Sequence, residues 1–125
     1  GPLKMAEAFY PHVKASKQKK IITVSSSEGS IATADKRGGG RLFFYRSSKS
    51  ALNMVMVNLA LQLKSRGVAV GMVNPGATDT DFMTGLPFPL RKTEVAVSDM
   101  IRNIDSITVE NTGAYLNYNG KTVPW

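Results

Sequence analysis

Cysteine is absent from the 125 residues, which excludes a disulfide framework, a thiolate zinc site and a cysteine nucleophile. A reducing cytoplasm suits such a composition. Histidine occurs once, as His12 beside Pro11, where a solvated or packed role outweighs a catalytic one. Acidic residues are few, with 9 Asp and Glu against 16 Lys and Arg. Asp79 and Asp81 have no third ligand at hand, so turn or cap roles suit them and no metal is expected. Long hydrophobic runs are also missing. The longest apolar stretch, Ser50 to Leu63, is broken by Asn53, Asn58 and Gln62 and is too short to span a bilayer. Gly1 opens an amphipathic stretch rather than a basic region followed by an apolar one, so no signal peptide is expected.

What remains is ordinary for a soluble globular chain: 42% hydrophobic and 20% charged residues, enough for one domain with a core. The formal charge of +7 raises the question of nucleic acid or an anionic membrane. Lys14, Lys17, Lys19 and Lys20 cluster once, and Lys36, Arg37, Arg41 and Arg46 flank a glycine run. The positives are scattered, without the interleaved aromatics of a base-stacking platform, so neither nucleic acid nor membrane is expected as a partner. A basic balance also suits an enzyme with an anionic dinucleotide.

Periodicity orders the chain. Pro2 suits a first helical turn, and Leu3, Ala6, Phe9 and Val13 follow at helical spacing, predicting a helix over 2–15 with a kink at Pro11. Ile21-Ile22-Thr23-Val24 reads as a strand covered on both faces, within residues 20–25. Residues 25–40 read as a loop. A long helix is expected from Tyr45 to Arg66, stopped by Gly67, then a strand from Val68 to Val73 ended by Asn74-Pro75-Gly76. Residues 77–91 are polar and proline-bearing. Thr93 reads as the cap of a third helix, with Glu94 near its positive end and Val97, Met100, Ile101 and Ile104 on one face. Ala114 to Asn117 makes a short third strand, and Trp125 a hydrophobic anchor for the chain end. This alternation predicts a parallel sheet with helices on its faces.

The long helix carries two apolar stripes, Leu52, Val55, Leu59 and Leu63, and Met54, Val57, Ala60 and Leu61. A helix apolar on nearly all sides must be covered on nearly all sides. The sheet covers one stripe; either a second copy or the rest of the same subunit covers the other. A homo-oligomer through helices 2–15 and 45–66 is therefore expected.

Tyr45 and Lys49 stand four apart at a helix start, so their side chains share one face. An ammonium near a phenol favours the ionised form, and so does the positive end of the helix. Such a tyrosine can give or take a proton at a carbonyl or alcohol oxygen. The pairing alone is common by chance. Its context is not: Ser25-Ser26-Ser27-Glu28-Gly29 ends one buried strand and Asn74-Pro75-Gly76 ends the next, and open parallel sheets bind ligands outside these strand ends.

Ile21 to Gly29, Tyr45-Arg46-Ser47-Ser48-Lys49-Ser50-Ala51-Leu52-Asn53, and Asn74-Pro75-Gly76-Ala77-Thr78-Asp79-Thr80-Asp81 together resemble successive hallmarks of the short-chain dehydrogenase/reductase family. The Tyr-Arg-Ser-Ser-Lys core, the extended loop before it and the Tyr-Asn-Gly-Lys-Thr-Val-Pro-Trp ending are most similar to its C-factor and sniffer-like carbonyl reductase branch. The resemblance implies a partial Rossmann-like α/β fold of three layers, the second half of a doubly wound sheet. It implies NADP or NAD as cofactor and a small carbonyl or alcohol as substrate. Ser26 would hydrogen-bond the substrate carbonyl, with Ser25 and Ser27 as alternatives. Tyr45 would be the general acid in reduction, and Lys49 would assist it and bind the nicotinamide ribose. Pro75, Gly76, Thr78 and Thr80 match positions at the nicotinamide end of the cofactor.

Two departures stand out. Tyr45 follows Ser26 by 19 residues, a longer interval than most of the family has, so the glycine-bearing loop reads as an insertion near the substrate. The larger departure is the missing glycine-rich turn that seats a pyrophosphate on a helix N-terminus. Gly38-Gly39-Gly40 precedes a helix but follows no strand. Residues 1–125 are therefore expected to be the C-terminal half of one domain, without its cofactor-binding half and inactive alone. Gly1-Pro2-Leu3 matches a helix start of the family.

Overall fold

In the computed structural model, residues 1–37, 40–83, 85, 87 and 89–125 are described. Helix α1 (Pro2–Ala15) leads to strand β1 (Lys20–Val24), and helix α2 (Phe43–Lys64) leads to β2 (Ala69–Asn74). Helix α3 (Thr93–Ser106) precedes β3 (Tyr115–Asn117). Short 3-10 turns occupy Ser27–Gly29, Asp35–Arg37 and Asp81–Met83. The strands form one parallel sheet in the order β1-β2-β3, with Ile22 opposite Gly71 and Met72 opposite Tyr115.

Alternation along β2 builds the two faces. Val70 and Met72 pack with Met56, Ala60 and Leu63 of α2, together with Tyr115 and half-buried Val13 of α1. Ala69 and Val73 point the other way, into Ile107, Met100 and Ile104 at α3. Every residue of β2 is buried, as a central parallel strand requires. The architecture is thus three-layered α/β, as the sequence pattern implied.

Several details differ from the sequence reading. β1 is only half-buried, and Val24 is exposed, because β1 is an edge strand with a groove between it and α1. Helix α1 has the bounds expected of it, with Pro11 inside. Helix α2 starts two residues early, behind Leu42, whose left-handed backbone (φ 59°) turns the chain without a side-chain cap. The fully covered face of α2 is Asn53, Met56, Ala60 and Leu63, which matches neither stripe. Ala60 belongs to the core, whereas Met54 (63% exposed) and Leu61 (70%) lie outside it. On α3 the buried residues are Ala96 and Asn103, while Val97 and Ile101 are exposed. Thr93 is not the cap: Lys92 holds that place, and the Thr93 hydroxyl donates to the Asp79 carbonyl at 2.7 Å. Gly38 and Gly39, on which the loop insertion was centred, lie outside the described residues. No helix among the described residues is long and apolar enough to cross a membrane.

Candidate active site

The ends of β1 and β2 meet at one rim of the sheet because the strands run parallel in register. Ser25 continues the ladder past β1, its N–H donating to the Val73 carbonyl at 2.9 Å. The three candidate serines then part. Ser25 is buried and its hydroxyl donates to Asn53 Oδ1 of α2 at 2.6 Å. Ser27 is buried inside the 3-10 turn. Ser26 is only half-buried and caps that turn, its Oγ accepting from the Glu28 N–H at 3.2 Å. An oxygen that accepts from an amide keeps its own proton for another acceptor.

Tyr45 lies in the first turn of α2 and Lys49 one turn later, with Lys49 Nζ 5.8 Å from the Tyr45 ring centre. Lys49 Nζ also donates to the Val24 carbonyl at 3.4 Å, so the ammonium sits where β1 ends and the serine turn begins. Packing fixes this approach. Gly29 touches α2 so closely that a Cβ there would stand 2.9 Å from the Lys49 backbone carbon. The Gly29 carbonyl accepts from Ser50 Oγ at 2.9 Å.

Beyond β2, Gly76 adopts φ +76°, a conformation that favours glycine, and Tyr118 and Arg91 leave no room for a side chain. Thr78 turns its hydroxyl back to the Pro75 and Gly76 carbonyls at 3.4 and 3.2 Å. Thr80 is exposed and donates to the Thr78 carbonyl at 3.5 Å. Asp79 and Asp81 serve a turn: the Asp79 N–H donates to the Arg91 carbonyl at 2.9 Å, and Asp81 opens a 3-10 turn. Among the described residues no three His, Cys, Asp or Glu side chains form a metal-binding group.

Residues that sequence reasoning passed over hold these segments in place. Arg91 donates to the Pro75 carbonyl at 2.7 Å, pairs with Asp99 and lies 4.1 Å over the Tyr118 ring. The guanidinium of Arg91, and then that of Arg102, hold the Asp99 carboxyl below the usual carboxylate range. Arg46 grips Glu28 through Nε and Nη2, both at 2.7 Å. Phe43 and Phe44 stand exposed between Arg41 and Arg46, so aromatics do interleave with basic residues there, contrary to expectation. The only sequence signal for these pairings was the presence of opposite charges, which names no partner.

Known proteins share this fold. Residues 1–87 match the family model for short chain dehydrogenases. The chain is 33% identical over 125 residues to the C-signal of Myxococcus xanthus, covering all of this chain and 72% of that protein. It is 34% identical over 127 residues to 1-hydroxy-2-glutathionyl-2-methyl-3-butene dehydrogenase of Rhodococcus sp., covering all of this chain and 54% of that enzyme. An NADPH-bound carbonyl reductase from chicken fatty liver superposes with a TM-score of 0.89 at 29% identity, over 99% of this chain and 52% of that one. The carbonyl reductase Sniffer of D. melanogaster gives 0.84 at 27%, over the same shares. The chain spans about half the length of the Rhodococcus enzyme and of both carbonyl reductases. By the family-model match and these identities, the chain belongs to the short-chain dehydrogenase family.

Proposed function

We propose that residues 1–125 are the C-terminal half of one Rossmann-like domain, and that the complete protein is an NADP- or NAD-dependent oxidoreductase acting on a small carbonyl or alcohol. One observation carries this reading: Tyr45 and Lys49 sit one turn apart where α2 begins, and Lys49 Nζ reaches the Val24 carbonyl beside Ser26. The cofactor, when bound, supplies or accepts the hydride. Tyr45 gives its phenolic proton to the carbonyl oxygen in reduction and recovers it in oxidation. Lys49 stabilises the charge left on the phenolic oxygen, and the Ser26 hydroxyl donates to the same substrate oxygen.

The rim residues suit the nicotinamide end of a dinucleotide. Tyr45 and Lys49 supply a hydroxyl and a cation, and Pro75, Gly76, Thr78 and Thr80 border the same edge. Gly76 has no side chain and packs directly against Tyr118 and Arg91, which fixes the path of this segment along the rim. Gly40, the described member of the glycine run, precedes α2 but follows no strand, so it offers no pyrophosphate seat. The chain by itself is accordingly inactive, and cytoplasmic in keeping with its lack of cysteine. Replacing Tyr45 by Phe in the complete protein abolishes turnover; unchanged turnover rejects the assignment.

A second reading is a non-catalytic oligomerisation fragment without cofactor binding. It is favoured by the exposed Leu3, Met5 and Phe9 of α1 and Met54 and Leu61 of α2, an apolar set suited to another copy of the chain. Calorimetry of the 125-residue chain with oxidised and reduced dinucleotides separates the two, since micromolar binding contradicts the fragment reading.

A further inference from the structure

Two segments must be held in register if one substrate oxygen is to meet both Ser26 and Tyr45. They are the 3-10 turn that Ser26 caps and the first turn of α2. The chain between them runs through residues 30–42, a long connection whose described part holds the short 3-10 turn Asp35–Arg37. Contacts at Gly29, Ser50 and Asn53 tie the turn to the second and third turns of α2. At the first turn of α2, one side chain among the described residues makes the corresponding tie.

That side chain is Arg46. Its Nε and Nη2 both meet Glu28 Oε2 at 2.7 Å, and its Nη1 donates to the Ala34 carbonyl at 3.3 Å. The pair is largely shielded, with side chains 14% exposed for Arg46 and 24% for Glu28. Shielding and two charged donors on one oxygen place it above an ordinary surface ion pair in strength. Glu28 is also the residue whose N–H donates to Ser26 Oγ at 3.2 Å. A continuous chain of contacts therefore runs from the residue next to Tyr45, through the Glu28 carboxylate and backbone amide, to the Ser26 hydroxyl. The Ala34 contact fastens the intervening loop to the same guanidinium.

We propose that Glu28 and Arg46 are a positioning pair, which fixes the Ser26 hydroxyl relative to Tyr45 and anchors the loop after it. Neither acts on the substrate. This rests on the oxidoreductase reading above for its catalytic consequence, but not for its structural one. Among the described residues no hydrogen bond or ion pair joins the pair to the Pro75–Thr80 segment, so its loss misplaces the proton-transfer groups without weakening cofactor capture.

The test compares Glu28→Gln, Arg46→Met, the exchanged double variant Glu28→Arg with Arg46→Glu, and Tyr45→Phe in the complete protein. Steady-state kinetics and amide hydrogen exchange at Glu28 are both read. Each single variant is expected to lower kcat about ten- to a hundredfold, the cost of a displacement of about 1 Å in a reacting group. KM for the dinucleotide stays within about twofold, which marks loss of orientation rather than of binding. Exchange at the Glu28 amide speeds up roughly tenfold as the turn opens locally. The exchanged pair restores both readouts in part. A single variant with kcat within about twofold of the parent overturns the proposal, as does an unchanged Glu28 amide. If Tyr45→Phe retains turnover, the oxidoreductase reading falls while the exchange readout still judges the pair. Glu28→Gln is isosteric, so it remains readable should Arg46→Met fail to fold.

Discussion

The hydroxyl of Tyr115, on β3, donates to the carbonyl oxygen of Ser26 at the end of β1. Tyr115 has no exposed surface, and Trp125 stacks on its ring at 5.3 Å. The Trp125 carbonyl in turn accepts from the Ala32 N–H at 2.6 Å. The end of the chain thus fastens the loop that leaves the serine turn, a tighter role than a hydrophobic anchor alone.

This contact can be removed without disturbing the ring. Tyr115→Phe keeps the stacking and the core volume but takes away one donor. The Ser26 carbonyl still accepts from the Gly29 N–H at 2.8 Å, so it is not left bare. The expected loss is therefore that of one net hydrogen bond, about 1 kcal/mol. Urea unfolding of the two proteins checks this. A loss of several kcal/mol instead would mean that the whole turn depends on the phenol.

Gly29 is the second structural constraint at the site. A methyl group there meets the Lys49 carbonyl carbon and Cβ at 2.9 Å and Asn53 Nδ2 at 3.0 Å. Two of these atoms belong to the helix itself or its root, so they cannot swing aside as a side-chain tip would. Gly29→Ala must push the serine turn off α2, at a cost of about 1–3 kcal/mol for overpacking. The same displacement separates Ser26 from Tyr45. Both consequences appear together: a lower urea midpoint and reduced turnover of the complete protein. An alanine variant as stable as the parent contradicts the close approach.

The order of elements was legible because it rests on short-range patterns. Ile21 to Val24 and Val68 to Val73 are apolar on successive positions, Gly67 ends a helix in the left-handed conformation, and Tyr45 and Lys49 share a face by spacing alone. The candidate site was legible for the same reason, since parallel strands bring their ends to one rim. What escaped depends on contacts distant in sequence. Helix α2 begins behind Leu42, an apolar residue that gives no capping signal. Thr93 looks like a cap, yet its hydroxyl finds the Asp79 carbonyl instead. Helix α3 lays Ala96 and Asn103 inward rather than Val97 and Ile101. A small alanine permits close packing, and the Asn103 amide is satisfied by the Asn117 carbonyl at 2.8 Å. Neither burial follows from hydrophobicity. Glu28 and Arg46 lie 18 residues apart with no periodicity to link them.

The Arg91–Asp99–Arg102 cluster makes the segment after β2 sensitive to acid. Arg91 holds the Pro75 carbonyl while it pairs with Asp99, and Arg102 donates to the other Asp99 oxygen at 2.6 Å. The hydrogen bond from Arg91, followed by that from Arg102, holds the Asp99 carboxyl below its ordinary range. A carboxyl depressed in the folded state stabilises the fold fully above its unfolded value, about 3.9. That contribution fades as pH falls through the lower folded value, where the group protonates in both states. Asp99→Asn keeps the shape and removes the charge. Thermal unfolding should therefore separate parent from variant at pH 7 and 5, with the parent the more stable. The gap should narrow below about pH 4 and close at lower pH. A gap that stays constant across the range would assign the stabilising effect to packing rather than to the ionised carboxylate.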